Sequence, residues 1–452
     1  MSLSQTFGRE RPVYLALLIA FFINAAILFL LLPRATPVLS SSYSLGFQDL
    51  YDQIAENLVL GNGYRVEPAM DKTMIREPGY PLFLAMVFSA GGYHIEVVRL
   101  ANLLLAFAAA GMLIQLTQKI VGDRKAGVVA ALLFLLYPGT LLAVARGGVE
   151  ISFLCCVMLF MLFLYRALES GALWRYWLAG VVLGIAVLFR SEVLSFPLLL
   201  LVYLVLTGKG SSDRFRVLMR CAALVFGMAL VTLPWVVRNY ELTGKFVPTA
   251  TVGGVAAQEG LYTCQHLAWD KPFMMAQKDA GGERAELAGR LGLPFEGHYY
   301  YQEFYHAKDE VAFNTALLKQ VSNEYRGNPM LLGTCGAKNL FFNFWFLGKT
   351  WQATGLNAVL QVPLLALAIG GIIILWKRGL LRKMGIVLLF IFYVPAVHAA
   401  IIAHARHSVI VMPFLAIFAS VSLVWAWNEW NSRGQRKTAL VELSIVDFAA
   451  RR

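Results

Sequence analysis

The chain reads as an all-α, polytopic membrane protein of about ten transmembrane helices, with interfacial helices in its first outer loop and a mixed outer domain between spans seven and eight. Three observations carry that reading. Hydrophobic residues make up 58% of the 452 residues and charged ones only 15%, a balance far from that of soluble globular proteins. Apolar runs near the ~20 residues needed to cross a bilayer recur along the chain. Basic residues cluster between alternate pairs of those runs, as they do in cytoplasmic loops.

Taken in order, spans are expected at 13–33, 94–118, 126–146, 150–166, 174–190, 193–207, 217–237, 356–376, 384–403 and 407–427. The first is too long for the apolar part of a signal peptide and lacks a clean small-x-small cleavage site, so it reads as a retained span. Arg9 and Arg11 precede it, Lys119, Arg124 and Lys125 follow the second, and Lys377, Arg378, Arg382 and Lys383 follow the eighth. With ten spans all such clusters share one side, which makes both termini cytoplasmic. The net charge of +12 is thus a topology signal, with no nucleic-acid partner implied. Four regions follow: a membrane module 1–237 with its first outer loop 34–93, an outer domain 238–355, closing helices 356–428 and a tail 429–452.

The first outer loop is the chemically richest stretch. Tyr51, Ile54, Ala55 and Leu58 recur at helical spacing, which suits a short amphipathic helix on the membrane surface. Gly61, Gly63, Pro78, Gly79 and Pro81 break it, and 81–90 is apolar but too short to span, hence a second interfacial helix. Within the outer domain, 311–322 has helical apolar spacing with a stop at Arg326-Gly-Asn-Pro329, 297–306 is aromatic, and 339–347 reads as an aromatic segment returning to the interface.

Cys155, Cys156 and Cys221 fall in spans and read as buried. Cys264 and Cys335 both lie in the outer domain and would pair if it faces an oxidising compartment, although spacing alone leaves the pairing open. Closing so long a loop contributes about 4 kcal/mol in the chain-entropy account.

Several charges stand where the positive-inside rule leaves few cations: Arg76 and Glu77, Arg146 and Glu150, Arg190 and Glu192, Arg238, and the group His404, Arg406 and His407. Charges at such depth face the protein interior or a watery cavity. Arginines gathered from separate outer turns would line one cationic cleft near Asp49, suited to a phosphate whose lipid tail stays in the membrane. Local pairing of Arg146 with Glu150 and of Arg190 with Glu192, and snorkelling of Arg238, are the plainer readings. His404 and His407, three apart, admit either one face of a metal site or an interfacial role. Asp49 is preferred over Asp52 as the acting acid because it lies nearer the first span.

An acid after the first span, YDQIAENLVLGNGY, REPGYPLFLA, LYPGTLLAVARGGVE, LFRSE, LPWVVRNYELTGKFVPTATVGG and ARHSVIVMP follow one another in the chain. In that order they resemble the GT-C superfamily of integral-membrane glycosyltransferases, in the bacterial branch related to protein O-mannosyltransferases and lipid A aminoarabinose transferases. The resemblance implies transfer of a sugar, hexose or pentose, from a polyprenyl-phosphate carrier to a glycan, lipid or protein acceptor. Transfer would proceed with inversion at the periplasmic face of a bacterial inner membrane. It implies Asp49 as general base, with Asp52 and Glu77 beside it in the catalytic group. Arg76, Arg190 and Arg406 would hold the lipid phosphate, and Tyr80 would orient the sugar or the base. Arg146, Glu150, Arg238 and His404 complete the expected binding set. Some relatives carry two adjacent acids where Asp49 is followed by Leu50, which leaves a divalent metal open; no other cofactor is implied. A transporter or flippase of lipid-linked sugars is the rival reading. Transporters place polar groups at the bilayer midplane, whereas these charges gather at outer helix ends. A scaffold subunit without catalysis is the third.

Overall fold

The computed structural model describes residues 3–31, 49–207, 211–297 and 302–450. Residues 34–48 of the first loop and the tyrosines of the 297–306 stretch at 299–301 lie outside the described residues. Within the described residues, each of the ten stretches expected to span contains helix. Helix α1 (Leu3–Ala26) runs on as a π-helical turn (Ile27–Leu31). The first loop holds α2 (Tyr51–Val59) and α3 (Gly79–Gly91). Then come α4 (Ile95–Val121), α5 (Arg124–Leu135), α6 (Pro138–Ala145), α7 (Val149–Ser170), α8 (Leu173–Phe189), α9 (Phe196–Thr207) and α10 (Ser211–Thr243). Helices α11 (Gly253–His266), α12 (Phe273–Arg290), α13 (Ala307–Gly327), α14 (Pro329–Lys338) and the turn α15 (Phe344–Phe346) build the outer domain. The chain returns through α16 (Trp351–Lys377), α17 (Leu381–Ala400) and α18 (Met412–Ala450).

Five helices, α4, α7, α10, α16 and α17, are long and apolar enough to cross a membrane, and the bent pair α5–α6 makes a sixth. One expected span is therefore not a single rod: 126–146 bends by 53° between α5 and α6. The cause is Pro138 at the first position of α6, which holds Tyr137 extended and ends α5 before it. The last expected span likewise opens with a 3₁₀ turn (Ala405–Ile410), and its α-helix starts only at Met412. A continuous apolar core runs through the helices, with Phe153, Phe160, Phe196, Phe390 and Phe414 among its fully buried side chains. Phe226 and Phe392 are exposed on the spanning helices α10 and α17, and Leu198 and Leu206 on the shorter apolar α9, as lipid-facing residues are. Helices α2 and α3 lie side by side and leave an apolar surface groove of about 600 Å³ lined by Leu58, Val59, Leu82 and Met86.

The outer domain is helical, with one short antiparallel ribbon, β1 (Phe295–Gly297) on β2 (Gln302–Phe304), in the register Phe295 opposite Phe304. Val255, Ala288, Phe304, Phe313 and Leu317 form its core. Asn328 caps α14 through its side chain, with Pro329 next, so the expected stop after Arg326 falls where one helix hands over to another. Cys264 of α11 and Cys335 of α14 are disulfide-bonded, their Cα atoms 5.6 Å apart. Glu310 of α13 ties this domain to the first loop. It accepts hydrogen bonds from the Thr73 hydroxyl (2.5 Å), the Met74 amide (2.9 Å) and the Thr251 hydroxyl (3.2 Å). Burial among these neutral donors pushes its carboxyl up to about 7.

Candidate active site

Asp49 sits immediately before α2. The residue between them, Leu50, has φ 65°, a left-handed conformation that is strained for a leucine. Its side chain is buried with Ile54, Tyr64, Val66, Met70 and Ile75, and that packing holds the turn. The turn leaves the Asp49 carboxylate 23% exposed, between two arginines. Arg76 places Nη2 3.4 Å from Oδ1, and its Nε donates to the Asp49 carbonyl at 2.7 Å. Its guanidinium also lies over the Tyr51 ring, 4.9 Å from the centroid. Arg406 approaches from the far end of the chain, with Nη1 3.6 Å from Oδ2.

The pairing continues inward. Arg406 Nε is 3.1 Å from Glu150 Oε1, and Arg190 Nη1 is 3.9 Å from the same oxygen. Arg190 also pairs with Glu192 at 3.1 Å, and Glu192 meets His398 Nε2 at 2.9 Å. The order Arg76, Asp49, Arg406, Glu150, Arg190, Glu192 alternates in sign, which is how buried charges become tolerable. Glu77 joins from the side: it accepts from the Ser191 hydroxyl (2.8 Å) and amide (3.3 Å), next to Arg190.

Two glycines let these elements meet. A Cβ at Gly79 would lie 2.7 Å from the Leu188 carbonyl oxygen, so the start of α3 rests directly on the end of α8. That contact brings the Arg76–Glu77 pair to the turn 190–192. A Cβ at Gly148 would lie 2.2 Å from Glu150 Oε2, so only glycine leaves room for that carboxylate. Tyr80, buried in α3, donates its hydroxyl to the Gly147 carbonyl and packs edge-on to Tyr51 at 5.2 Å. It braces the turn between α6 and α7. Arg99 and Asn102 of α4 hold the same turn from below, on the carbonyls of Ala145 (2.9 Å) and Gly148 (3.3 Å).

Other expected residues stand apart from this row. Asp52, in the first turn of α2, is buried and accepts from the Tyr93 hydroxyl at 2.7 Å. Burial drives its carboxyl up to about 6. Arg238 donates to the Thr73 carbonyl (2.8 Å) and lies over Trp235 and Tyr64, so it fastens the first loop to the outer domain. The His404 ring meets Phe273 (5.2 Å) and His407 (4.1 Å) at a tilt, and His407 stacks on His398 (4.0 Å). Burial, then the charge of Arg406, lowers His404 well below the ordinary histidine value, which keeps it neutral. Among the described residues no group of three or more His, Cys, Asp or Glu side chains is placed to hold a metal ion.

The structure adds two residues that the sequence reading passed over. Lys349, between α15 and α16, is brought down to about 8, by burial first and then by the charges of Arg146 and Arg406, with Asp49 and Glu259 opposing. The charge of Arg146 is thus felt at Lys349. Glu259 of α11 is the second; its carboxyl is raised by burial, against Arg284 and Arg406. Lys349 was findable, because it is a cation at an outer helix end, the criterion that selected the arginines. Glu259 lies in a helix without any motif.

Residues 72–237 match the family model described as dolichyl-phosphate-mannose-protein mannosyltransferase. The resemblance drawn from the sequence is met by that match, which takes in Arg76, Glu77, Tyr80, Arg146, Glu150 and Arg190 and leaves Asp49 and Arg406 outside. No curated protein matches the chain. Among solved structures it is similar to ArnT from Cupriavidus metallidurans bound to undecaprenyl phosphate. The TM-score is 0.41 at 15% identity, over 92% of this chain and 78% of that one.

Proposed function

We propose that the chain is a membrane glycosyltransferase that moves a sugar from a polyprenyl-phosphate carrier to a hydroxyl acceptor at the extracytoplasmic face, with inversion. The observation that supports it is the Asp49 carboxylate held between Arg76 and Arg406, at 3.4 and 3.6 Å, from elements 330 positions apart (406 less 76). The matched mannosyltransferase family adds the reaction class.

In this reading the acceptor oxygen attacks the anomeric carbon and passes its proton to Asp49. The bond between that carbon and the phosphate oxygen breaks, and its electron pair leaves with the lipid phosphate. Arg76, Arg406 and Arg190 meet the growing negative charge, and a planar guanidinium does so bidentately. In the resting state the same guanidiniums are occupied by carboxylates. Donor entry therefore exchanges partners: arginine donors turn from Asp49 to phosphate, and an Asp49 oxygen becomes available for the acceptor. Five donors on each guanidinium allow the exchange without releasing Glu150. Lys349 adds positive charge near the phosphate, and the outer domain covers the site against water, which would otherwise hydrolyse the donor. Residues 34–93 and the outer domain face the periplasm of a bacterial inner membrane in this reading.

Purified protein in detergent, given a polyprenyl-phosphate sugar and candidate acceptors, should release polyprenyl phosphate and form a glycoside of inverted configuration. A protein that moves the intact lipid-linked sugar between leaflets of a vesicle without cleaving it would be the transporter instead.

A further inference from the structure

The turn 190–192, between α8 and α9, is gripped twice by the end of α17. Tyr393 donates its hydroxyl to the Glu192 carbonyl at 2.6 Å and meets the Ser195 hydroxyl at 2.8 Å, which holds the backbone. His398, 6% exposed in the last turn of α17, holds the side chain: its Nε2 is 2.9 Å from Glu192 Oε2. The ring is itself fixed. Nδ1 lies 2.9 Å from the Ile402 carbonyl, His407 stacks on it at 4.0 Å, and Phe344 meets it at a tilt, 5.6 Å away. A carbonyl oxygen only accepts, so Nδ1 carries a hydrogen. In a neutral ring Nε2 would then turn a lone pair on a carboxylate, so the 2.9 Å contact needs a proton between His398 and Glu192. The C-terminal end of a helix favours that positive charge. The same Glu192 oxygen takes Arg190 Nη2 at 3.1 Å and Nε at 3.3 Å. With that edge of the guanidinium occupied, the remaining nitrogen, Nη1, lies 3.9 Å from Glu150 Oε1, where Arg406 also arrives.

We propose that His398 is a positioning residue for Arg190, acting through Glu192. The inference rests on the reading of Arg190 as a ligand of the lipid phosphate. Each link is a direct contact: 2.9 Å from imidazole to carboxylate and 3.1 Å from carboxylate to guanidinium. A carboxylate left alone with a guanidinium turns to give one oxygen to each nitrogen of the fork. Glu192 Oε1, buried with no hydrogen-bond partner among the described residues, is the oxygen available for that turn. By drawing Oε2 to itself, His398 keeps Glu192 in a one-oxygen grip on the Nε–Nη2 edge and leaves Nη1 toward Glu150 and Arg406. Without the imidazole, Glu192 closes both oxygens on Arg190, and phosphate must compete with a bidentate partner.

The test is equilibrium binding of polyprenyl phosphate, in micelles, to the full-length protein, with thermal melts to show that each variant is folded. His398→Ala should weaken binding about tenfold, since a shift of a fraction of an ångström at a binding group has effects of that order. His398→Gln should recover most of it, because its amide N–H stands near the place of Nε2 and can donate to Glu192. His398→Asn ends near the place of Nδ1, reaches only the Ile402 carbonyl, and should stay weak. In an Arg190→Ala background, His398→Ala should weaken binding no further, because the two act through one group. Wild-type affinity in His398→Ala, with Arg190→Ala weakened, overturns the proposal and leaves the functional reading in place. A loss of the same size with and without Arg190 overturns it as well. If His398→Ala melts early, the other two variants decide: equal affinity in His398→Gln and His398→Asn overturns the proposal. Failure of the wild-type chain to bind polyprenyl phosphate overturns both.

Discussion

Asp49 and Asp52 stand three residues apart and are treated in opposite ways. Asp49 keeps 23% of its side chain exposed and is met by two arginines from remote parts of the chain. Asp52 is buried, receives one neutral hydroxyl from Tyr93, and has Oδ1 buried with no hydrogen-bond partner among the described residues. Glu310 repeats the second arrangement with threonine hydroxyls and an amide. Neutral donors fix a carboxylate in a fold, and burial then raises its pKa. Cations brought together from distant turns make a place where an anion can be exchanged. The contrast separates a joint between elements from a site that can react.

The largest effect expected is at the first of these acids. Asp49→Asn should lower turnover by about 1,000-fold, within the usual range for a general base, while Asp52→Asn stays within a few-fold of wild type. Comparable losses in the two variants would erase the distinction. Next comes Arg406→Ala, with a loss of about 100-fold in kcat/KM, and Arg76→Lys should restore little of what Arg76→Ala loses, because an ammonium lacks the planar fork. Full activity in Arg76→Lys would reduce Arg76 to a point charge.

Asp52 yields a stability prediction whose sign follows from linkage. Its carboxyl is raised from 3.8 to about 6 in the folded chain, so the native state holds the proton more tightly than the unfolded one. Below pH 3.8 the group has no effect; between 3.8 and 6 stability falls as pH rises; above 6 the full penalty is present. Asp52→Asn should therefore be more stable at pH 8 by up to about 3 kcal/mol, and no different at pH 3.5, in thermal melts in detergent. A variant less stable at pH 8 would show that the ionised acid is needed there. The smallest effect is Tyr93→Phe, which removes one half-exposed hydrogen bond. It should cost about 1 kcal/mol or less at pH 8 and leave transfer unchanged.

Much of this was legible in the sequence. Helical stretches follow from apolar runs, and the arginines of the site stand out because they sit on the side where cations are few. Cys264 and Cys335 do pair, as an outer domain in an oxidising compartment would have them do. What could not be read was which charge meets which. Arg190 lies within reach of both Glu150 and Glu192, and Arg238 serves a joint, because helix packing and not sequence distance decides those partners. The close approach at Gly79 that brings Arg76 to the site depends on a backbone 109 positions further on (188 less 79). Glu259 comes from a helix of the outer domain where no spacing marks it.

The most direct test of the central claim is the affinity of the Asp49→Asn protein for polyprenyl phosphate. Carboxylate and phosphate compete for the same guanidiniums in this account, so that variant should bind the lipid at least as tightly as wild type while Arg76→Ala and Arg406→Ala bind it more weakly. Weaker binding in Asp49→Asn, or wild-type binding in both arginine variants, would contradict it.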